Sequence, residues 1–336
     1  MERVVTFGEL MMRLATRDNE RFGQARSLGL TYGGGEFNVA VSLSNFGLPS
    51  QFVSRFPDND LGKSALEEIN RFKVNTDHIV FGGDRLGIYF LEQGAGLRPS
   101  SVVYDRANSA LSTATPGTFD WETILDNAAW FHWSGVTPAL SQSAAAVTLE
   151  ALKVAKSKGV KISCDLNFRS KLWNYGKTPS QIMPELLTYS NVILGDIDTA
   201  YFMIGLDRVN PDYTAIETLP DLYEPLFTHC PDLECIATSL RYSINTSHQQ
   251  IGGILYTNKD LFVAKNYDVN YVVDRVGSGD AFMAGLIYGL KELPLQKAID
   301  FATAACALKH TIPGDLNRVS VAEVEKLIAG GGDVQR

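Results

Sequence analysis

Hydrophobic residues along this chain follow two alternating rhythms. Short β-branched or aromatic runs at 4–7, 52–54, 131–133, 161–164, 192–194 and 236–238 are separated by longer amphipathic stretches, among them 144–155, 179–189 and 295–308. Strands that alternate with helices predict an α/β fold, a mostly parallel sheet with helices on both faces. Ligands of such folds bind at the carboxyl ends of the strands.

One stretch departs from that rhythm. Runs 88–92 and 102–106, joined by a Gly- and Pro-bearing loop, predict a hairpin outside the main sheet. Period-two alternation puts Tyr89 on the same face as Leu91 of its run, and Tyr104 on the same face as Arg106 of its own. Two phenols and a guanidinium would then converge on something beneath, although a solvent-facing hairpin has the same pattern. Together with the segment near 11–32, it predicts a small β lid, inserted at about 11–32 and 86–108 into one domain spanning 1–336.

Composition narrows the choice of partner. A formal charge of −8 and a pI near 5.2, with no cluster of Lys or Arg, argue against nucleic acid and anionic membranes and leave small molecules. Cys164, Cys230, Cys235 and Cys306 have neither Cys-x-x-Cys spacing nor a nearby histidine pair, so they read as reduced structural thiols. The start runs from Met1-Glu2-Arg3 directly into a strand, and no apolar run approaches the ~20 residues a bilayer requires. The expected location is the cytoplasm.

Chemistry concentrates in Val273-Asp274-Arg275-Val276-Gly277-Ser278-Gly279-Asp280, read as a strand ending in glycines and opening into a helix. Gly277, Ser278 and Gly279 form a candidate anion hole, because bare amides and a helix N-terminus both favour negative charge. Asp280 at its mouth suits a general base that takes a hydroxyl proton while the amides hold a phosphoryl group. The plainer alternative is that Asp280 caps the helix. Gly285 and Gly289, four apart, would let that helix lie close to a sheet.

Gly33-Gly34-Gly35-Glu36-Phe37-Asn38 suggests a second glycine turn with Asn38 beside it, or simply a structural turn. Asp165, Asn167 and Arg169 would share one side if their segment stays extended; a buried ion pair at the sheet edge would look the same. Two decoys fall away. Gly62-Lys63-Ser64 lacks the first P-loop glycine, since Pro57 stands there, and Phe282 occupies the last glycine position of a dinucleotide motif. The five histidines show no ligand spacing, with His310 the one most exposed to revision because its polar loop could lie near the cleft.

Gly33-Gly34 with Asn38, and Asp274 through Asp280, resemble the two motifs of the ribokinase-type, or PfkB, family of sugar kinases, the second with Arg275 and Ser278 substituted. The resemblance spans essentially the whole chain. It implies a ribokinase-like fold, Asp280 as catalytic base, Gly277 to Asp280 as anion hole, and ATP with Mg2+ as donor, a monovalent cation being a further possible requirement. Tyr104-Asp105-Arg106, Asp165 through Arg169, and Leu172-Trp173 are most similar to family members that phosphorylate 2-keto-3-deoxygluconate. That implies a sugar-acid substrate phosphorylated on its terminal hydroxyl, contacted by Gly34, Asn38, Tyr89, Tyr104, Arg106, Arg169 and Asp315. Two guanidiniums would neutralise its carboxylate.

Asn167, Thr238, Ser239 and Arg241 would lie near the nucleotide, with Ala305 beside the adenine unless its small side chain serves a close helix contact. The family's Asn-x-x-Glu motif falls on Asp196-Ile197-Asp198-Thr199, so no metal ligand is assigned, although Asp196 or Asp198 could act through water. A fructose or other neutral-sugar kinase, and a catalytically silent sugar-acid sensor, are the rival readings. Exposed lid strands would invite pairing into a homo-oligomer.

Overall fold

The computed structural model describes residues 3–331. The chain enters β1 (Arg3–Phe7), turns through β2 (Met11–Ala15) and β3 (Gly29–Gly33), and continues into α1 (Gly35–Asn45), β4 (Ser50–Val53), β5 (Arg55–Phe56) and α2 (Asp60–Ile69). Then come β6 (Val80–Phe81), β7 (Gly87–Glu92), β8 (Ser101–Asp105), α3 (Trp121–Ile124), β9 (Ala128–Ser134), α4 (Gln142–Ser157) and β10 (Lys161–Asp165). They are followed by α5 (Pro179–Leu187), β11 (Val192–Leu194), α6 (Ile197–Ile204) and α7 (Leu219–His229). The last third holds β12 (Cys235–Asn245), β13 (His248–Thr257), β14 (Leu261–Val263), β15 (Tyr267–Val269), α8 (Ser278–Glu292), α9 (Leu295–Lys309) and α10 (Val321–Ile328).

The main sheet runs β14-β13-β12-β11-β10-β9-β1-β4, with β15 also on β13. All pairings from β12 to β4 are parallel, and each of the six expected runs overlaps one of these strands. Alternate strand residues feed opposite faces, as the pleat requires. Val5, Phe131 and Ile193 pack under α4 to α7, whereas Val4, Trp130 and Val192 pack under α1, α8 and α9.

The antiparallel end, β13 to β15, is absent from the periodicity reading. Gly252 and Gly253 interrupt the hydrophobic run there for a packing reason: a Cβ at Gly253 would stand 2.3 Å from Thr303 Oγ1 of α9. The Gly285 and Gly289 stripe also differs from expectation. It faces α9, not a sheet, and added Cβ atoms would lie 2.8 Å from Ala302 Cα and 2.5 Å from Ala298 Cα.

A second sheet, β3-β2-β7-β8, joins the two segments that stood apart from the α/β rhythm. Tyr89 and Tyr104 are directly opposed in the antiparallel β7–β8 pair. Among the described residues no helix is long and apolar enough to cross a membrane.

Candidate active site

A cavity of about 640 Å3 lies between the carboxyl ends of the main-sheet strands and the second sheet. Its size is that of an ordinary small-molecule site. Leu194 and Gly195 at the end of β11 and Asp165 to Arg169 at the end of β10 form one wall; Met11, Tyr89, Leu91 and Tyr104 form another; Val272 to Asp280 form the floor. Of the sequence-derived residues, Gly34, Asn38, Tyr89, Tyr104, Arg106, Asn167, Arg169, Ser239, Arg241, Gly277, Ser278, Gly279, Asp280 and Asp315 all line it.

The floor is not the strand its valines suggest. Asp274 bends the chain instead, its Oδ1 accepting the Val276 amide at 3.0 Å, and Gly277 then caps α8 with φ +81°. Only glycine fits there, because a Cβ would meet the Asp315 carbonyl at 1.8 Å. Ser278 donates its amide to Arg275 O at 3.2 Å, so it is partly committed. The amides of Gly279 and Asp280, in the first turn of α8, have no intrahelical acceptor. At Gly279 an added Cβ would meet nothing within 4 Å, so that backbone is open to an approaching anion.

Asp280 does not cap α8. Its Oδ2 accepts from Asn38 Nδ2 at 2.7 Å, and Asn38 Oδ1 in turn accepts from the Gly34 amide at 3.3 Å. The two glycine motifs thus meet through one asparagine. Desolvation by the packed walls, opposed by the Asn38 hydrogen bond, moves the Asp280 carboxyl up from 3.8 to about 6. Two neighbouring carboxyls behave alike. Burial and then the Asp280 charge raise Asp165 to about 7, and burial also raises Glu36 to about 7 against the hydroxyls of Ser134 and Thr137.

Asp165, Asn167 and Arg169 reach the cavity by a route other than extension. Asn167 takes a left-handed conformation (φ 40°) and donates both its amide and Nδ2 to Asp165. Arg169 is exposed, and its Nη1 donates to Phe168 O at 3.1 Å.

Several expected contacts are already engaged within the protein. Arg106 is buried against Glu9, donating from Nε at 2.7 Å and also from Nη2, so its charge is offset. The second Glu9 oxygen is buried without a hydrogen-bond partner. Tyr89 donates its hydroxyl to Asp315 Oδ2 at 2.6 Å, leaving its ring to the cavity beside the Tyr104 ring. Asp315 and Asp274 share Arg13, whose guanidinium reaches each at 2.6 Å. Glu9, Arg13 and Glu36 were not singled out in the sequence, although a lone arginine within the apolar Met-Met-Arg-Leu-Ala of β2 is a detectable signal.

Two nucleotide candidates lie elsewhere. Thr238 is buried and donates to Gly195 O at 2.9 Å, and Ala305 packs against Gly285 in the close α8–α9 contact. Their neighbours line a smaller adjoining cavity of about 290 Å3 with Ser239, Arg241, Cys306 and His310. His310 Nδ1 donates to Cys306 O at 2.8 Å, so Nε2 carries a lone pair, and that atom is buried without a partner. Burial lowers His310 to about 4, which keeps the ring neutral. Partial desolvation, then the Arg275 and Arg169 charges, pull Arg241 below the usual arginine value; an anion among these cations would relieve that repulsion.

Asp196 and Thr199 also line the cavity, Asp196 Oδ1 accepting the Thr199 amide at 2.9 Å as cap of α6. Asp198 instead pairs with Arg208 and is not among the residues lining the cavity. Gly62 of the rejected P-loop lies against the Pro57 carbonyl, where a Cβ would stand 2.0 Å away. All four cysteines are buried and free.

The profile described as pfkB family carbohydrate kinase matches residues 1–225 and 251–319. A 2-dehydro-3-deoxygalactonokinase of Haloferax volcanii is 33% identical over 330 residues, covering 98% of this chain and 97% of its own. The crystal structure of 2-dehydro-3-deoxygluconokinase from Thermotoga maritima superposes with a TM-score of 0.93 at 41% identity, covering 98% of this chain and 100% of its own. A PfkB family carbohydrate kinase from Listeria grayi gives 0.90 at 34%, with coverage of 98% and 100%.

Proposed function

Because this chain belongs to the pfkB family of carbohydrate kinases and is an ATP-dependent sugar kinase, we propose that its reaction is phosphorylation of 2-keto-3-deoxygluconate to the 6-phospho sugar acid. The observation that carries the mechanism is Asp280, held by Asn38 at the mouth of an open amide nest. Asp280 accepts the proton of the attacking terminal hydroxyl, and the amides of Gly279 and Asp280 stabilise the transferring phosphoryl group. A carboxyl raised to about 6 is ionised near neutrality yet basic enough to take that proton.

The sugar-acid reading now rests chiefly on Arg169, since Glu9 offsets Arg106. The spare Glu9 oxygen suits a sugar hydroxyl donor, and the Tyr89 and Tyr104 rings suit the sugar's apolar edge. Arg241, Arg275 and Ser239 would take the nucleotide, with the His310 Nε2 lone pair available to its base. Among the described residues no three His, Cys, Asp or Glu side chains gather as a metal cage. Mg2+ bound with ATP takes most of its ligands from nucleotide phosphates and water, and Asp196, a carboxylate on the cavity wall, would assist. The second sheet would act as a lid that keeps water from the phosphoryl group. Its edge strands β3 and β8 carry exposed Leu30 and Val103, which suits pairing with a second subunit, readable by sedimentation.

ADP release by the purified protein with ATP, Mg2+ and a sugar panel tests the reading. Fastest turnover is expected with 2-keto-3-deoxygluconate; its galacto epimer belongs in the panel because a 33% identical relative bears that name. A preference for fructose would overturn the substrate, and binding without ADP release would favour the sensor.

A further inference from the structure

The cluster beneath the anion hole is unbalanced if only Arg13 is counted. Arg13 bridges Asp274 and Asp315, with all three side chains 4% exposed, leaving one negative charge over. Lys309, the last residue of α9, supplies the missing positive charge. It is 0% exposed, a rare state for lysine without a partner. Its ammonium faces backbone, not a carboxylate: Nζ donates to Ile312 O at 3.1 Å and Asp274 O at 3.3 Å. Burial draws its pKa down, while Asp274 and Asp315, more than Asp280, hold it up against the Arg13 charge.

Lys309 does not line either cavity, so its action on a ligand would be indirect. It holds the segment in which the nest begins. The Asp274 carboxylate accepts from Arg13, the Val276 amide and the Gly314 amide at 3.1 Å, while the carbonyl of the same residue accepts from Lys309. Both cations thus hold Asp274, the residue that opens the turn, Arg13 by its carboxylate and Lys309 by its carbonyl. Backbone carbonyls converging on a buried single charge are also what a desolvated potassium ion is given in proteins.

We propose that Lys309 is a tethered monovalent cation, its ammonium shaping and charging the turn from Asp274 to Gly277 so that phosphoryl transfer requires no free monovalent ion. The inference rests on the kinase reading of that turn. It makes Lys309 a positioning residue that acts through the nest.

The test uses the full-length protein with Mg2+, 2-keto-3-deoxygluconate and the tetramethylammonium salt of ATP, in buffer whose only monovalent cation is tetramethylammonium. KCl or NH4Cl is then added at matched ionic strength. Wild-type kcat is expected to vary by less than about twofold, and Lys309→Ala to lose about tenfold or more in kcat with a smaller change in sugar KM. NH4Cl or KCl, entering the vacated site, should restore part of that loss. Stimulation of the wild type by about tenfold on adding K+ would overturn the proposal. So would a folded Lys309→Ala enzyme with wild-type kcat in tetramethylammonium buffer. If that variant does not fold, the wild-type series decides alone. Failure of every sugar to release ADP would sink the kinase reading instead. The ion site is then read from the Lys309→Ala thermal midpoint, where a rise specific to NH4+ or K+ supports it and an equal response to tetramethylammonium overturns it.

Discussion

Replacing Asp280 with asparagine should stabilise the protein while stopping its chemistry. The native carboxyl is raised from 3.8 to about 6, so the folded state holds its proton more tightly than the unfolded chain does. Stability tied to that proton is present at low pH and is lost as pH rises through about 6. The rise from 3.8 to about 6 sets a ceiling of ~3 kcal/mol at pH 8. Because Asp280 is only partly buried and lines the open cavity, screening reduces the expected gain of Asp280→Asn to ~1–2 kcal/mol. For a chain this long that is a rise of about 1.5–3 °C in thermal midpoint, shrinking by about half at pH 5. Asparagine can still accept from Asn38, so the local hydrogen bond survives. Turnover should meanwhile fall by about a thousandfold or more. Paired melts at pH 5 and pH 8, with kcat from ADP release, read both effects. Near-wild-type turnover would remove Asp280 as the base, and a variant no more stable at pH 8 than at pH 5 would refute the account of its charge.

Other perturbations separate the remaining roles. Wild-type kcat/KM should climb with pH through about 6 and level off above it, since the base must be ionised. Asn38→Ala removes a donor to the ionised carboxylate, so the midpoint of that climb should move to higher pH; an unmoved profile would show that Asn38 does not tune the base. Arg169→Ala should cost roughly 30-fold in kcat/KM for the sugar acid and little for ATP binding, measured by steady-state kinetics and nucleotide titration. Arg106→Ala should instead destabilise the fold by ~3 kcal/mol, because it strands the Glu9 carboxylate in a buried site, as a denaturant melt would report. Gly277→Ala should abolish turnover, since its Cβ would overlap the Asp315 carbonyl at 1.8 Å.

Local patterning foretold the six parallel strands, the outlying hairpin, and a glycine nest followed by an acid, because strand alternation and helix-opening glycines are written within a few neighbouring residues. What those groups touch was settled only by tertiary packing. Asn38 reaches Asp280 across 242 positions and Arg13 reaches Asp315 across 302, distances at which periodicity carries no information. The same packing diverted Tyr89 to Asp315 and Arg106 to Glu9, because a charge or hydroxyl removed from water must find a partner where it lies. It also placed Ala305 against Gly285 and not at the cavity. Residue types along the chain therefore marked which chemistry was present, while the folded geometry determined which groups remain free to perform it.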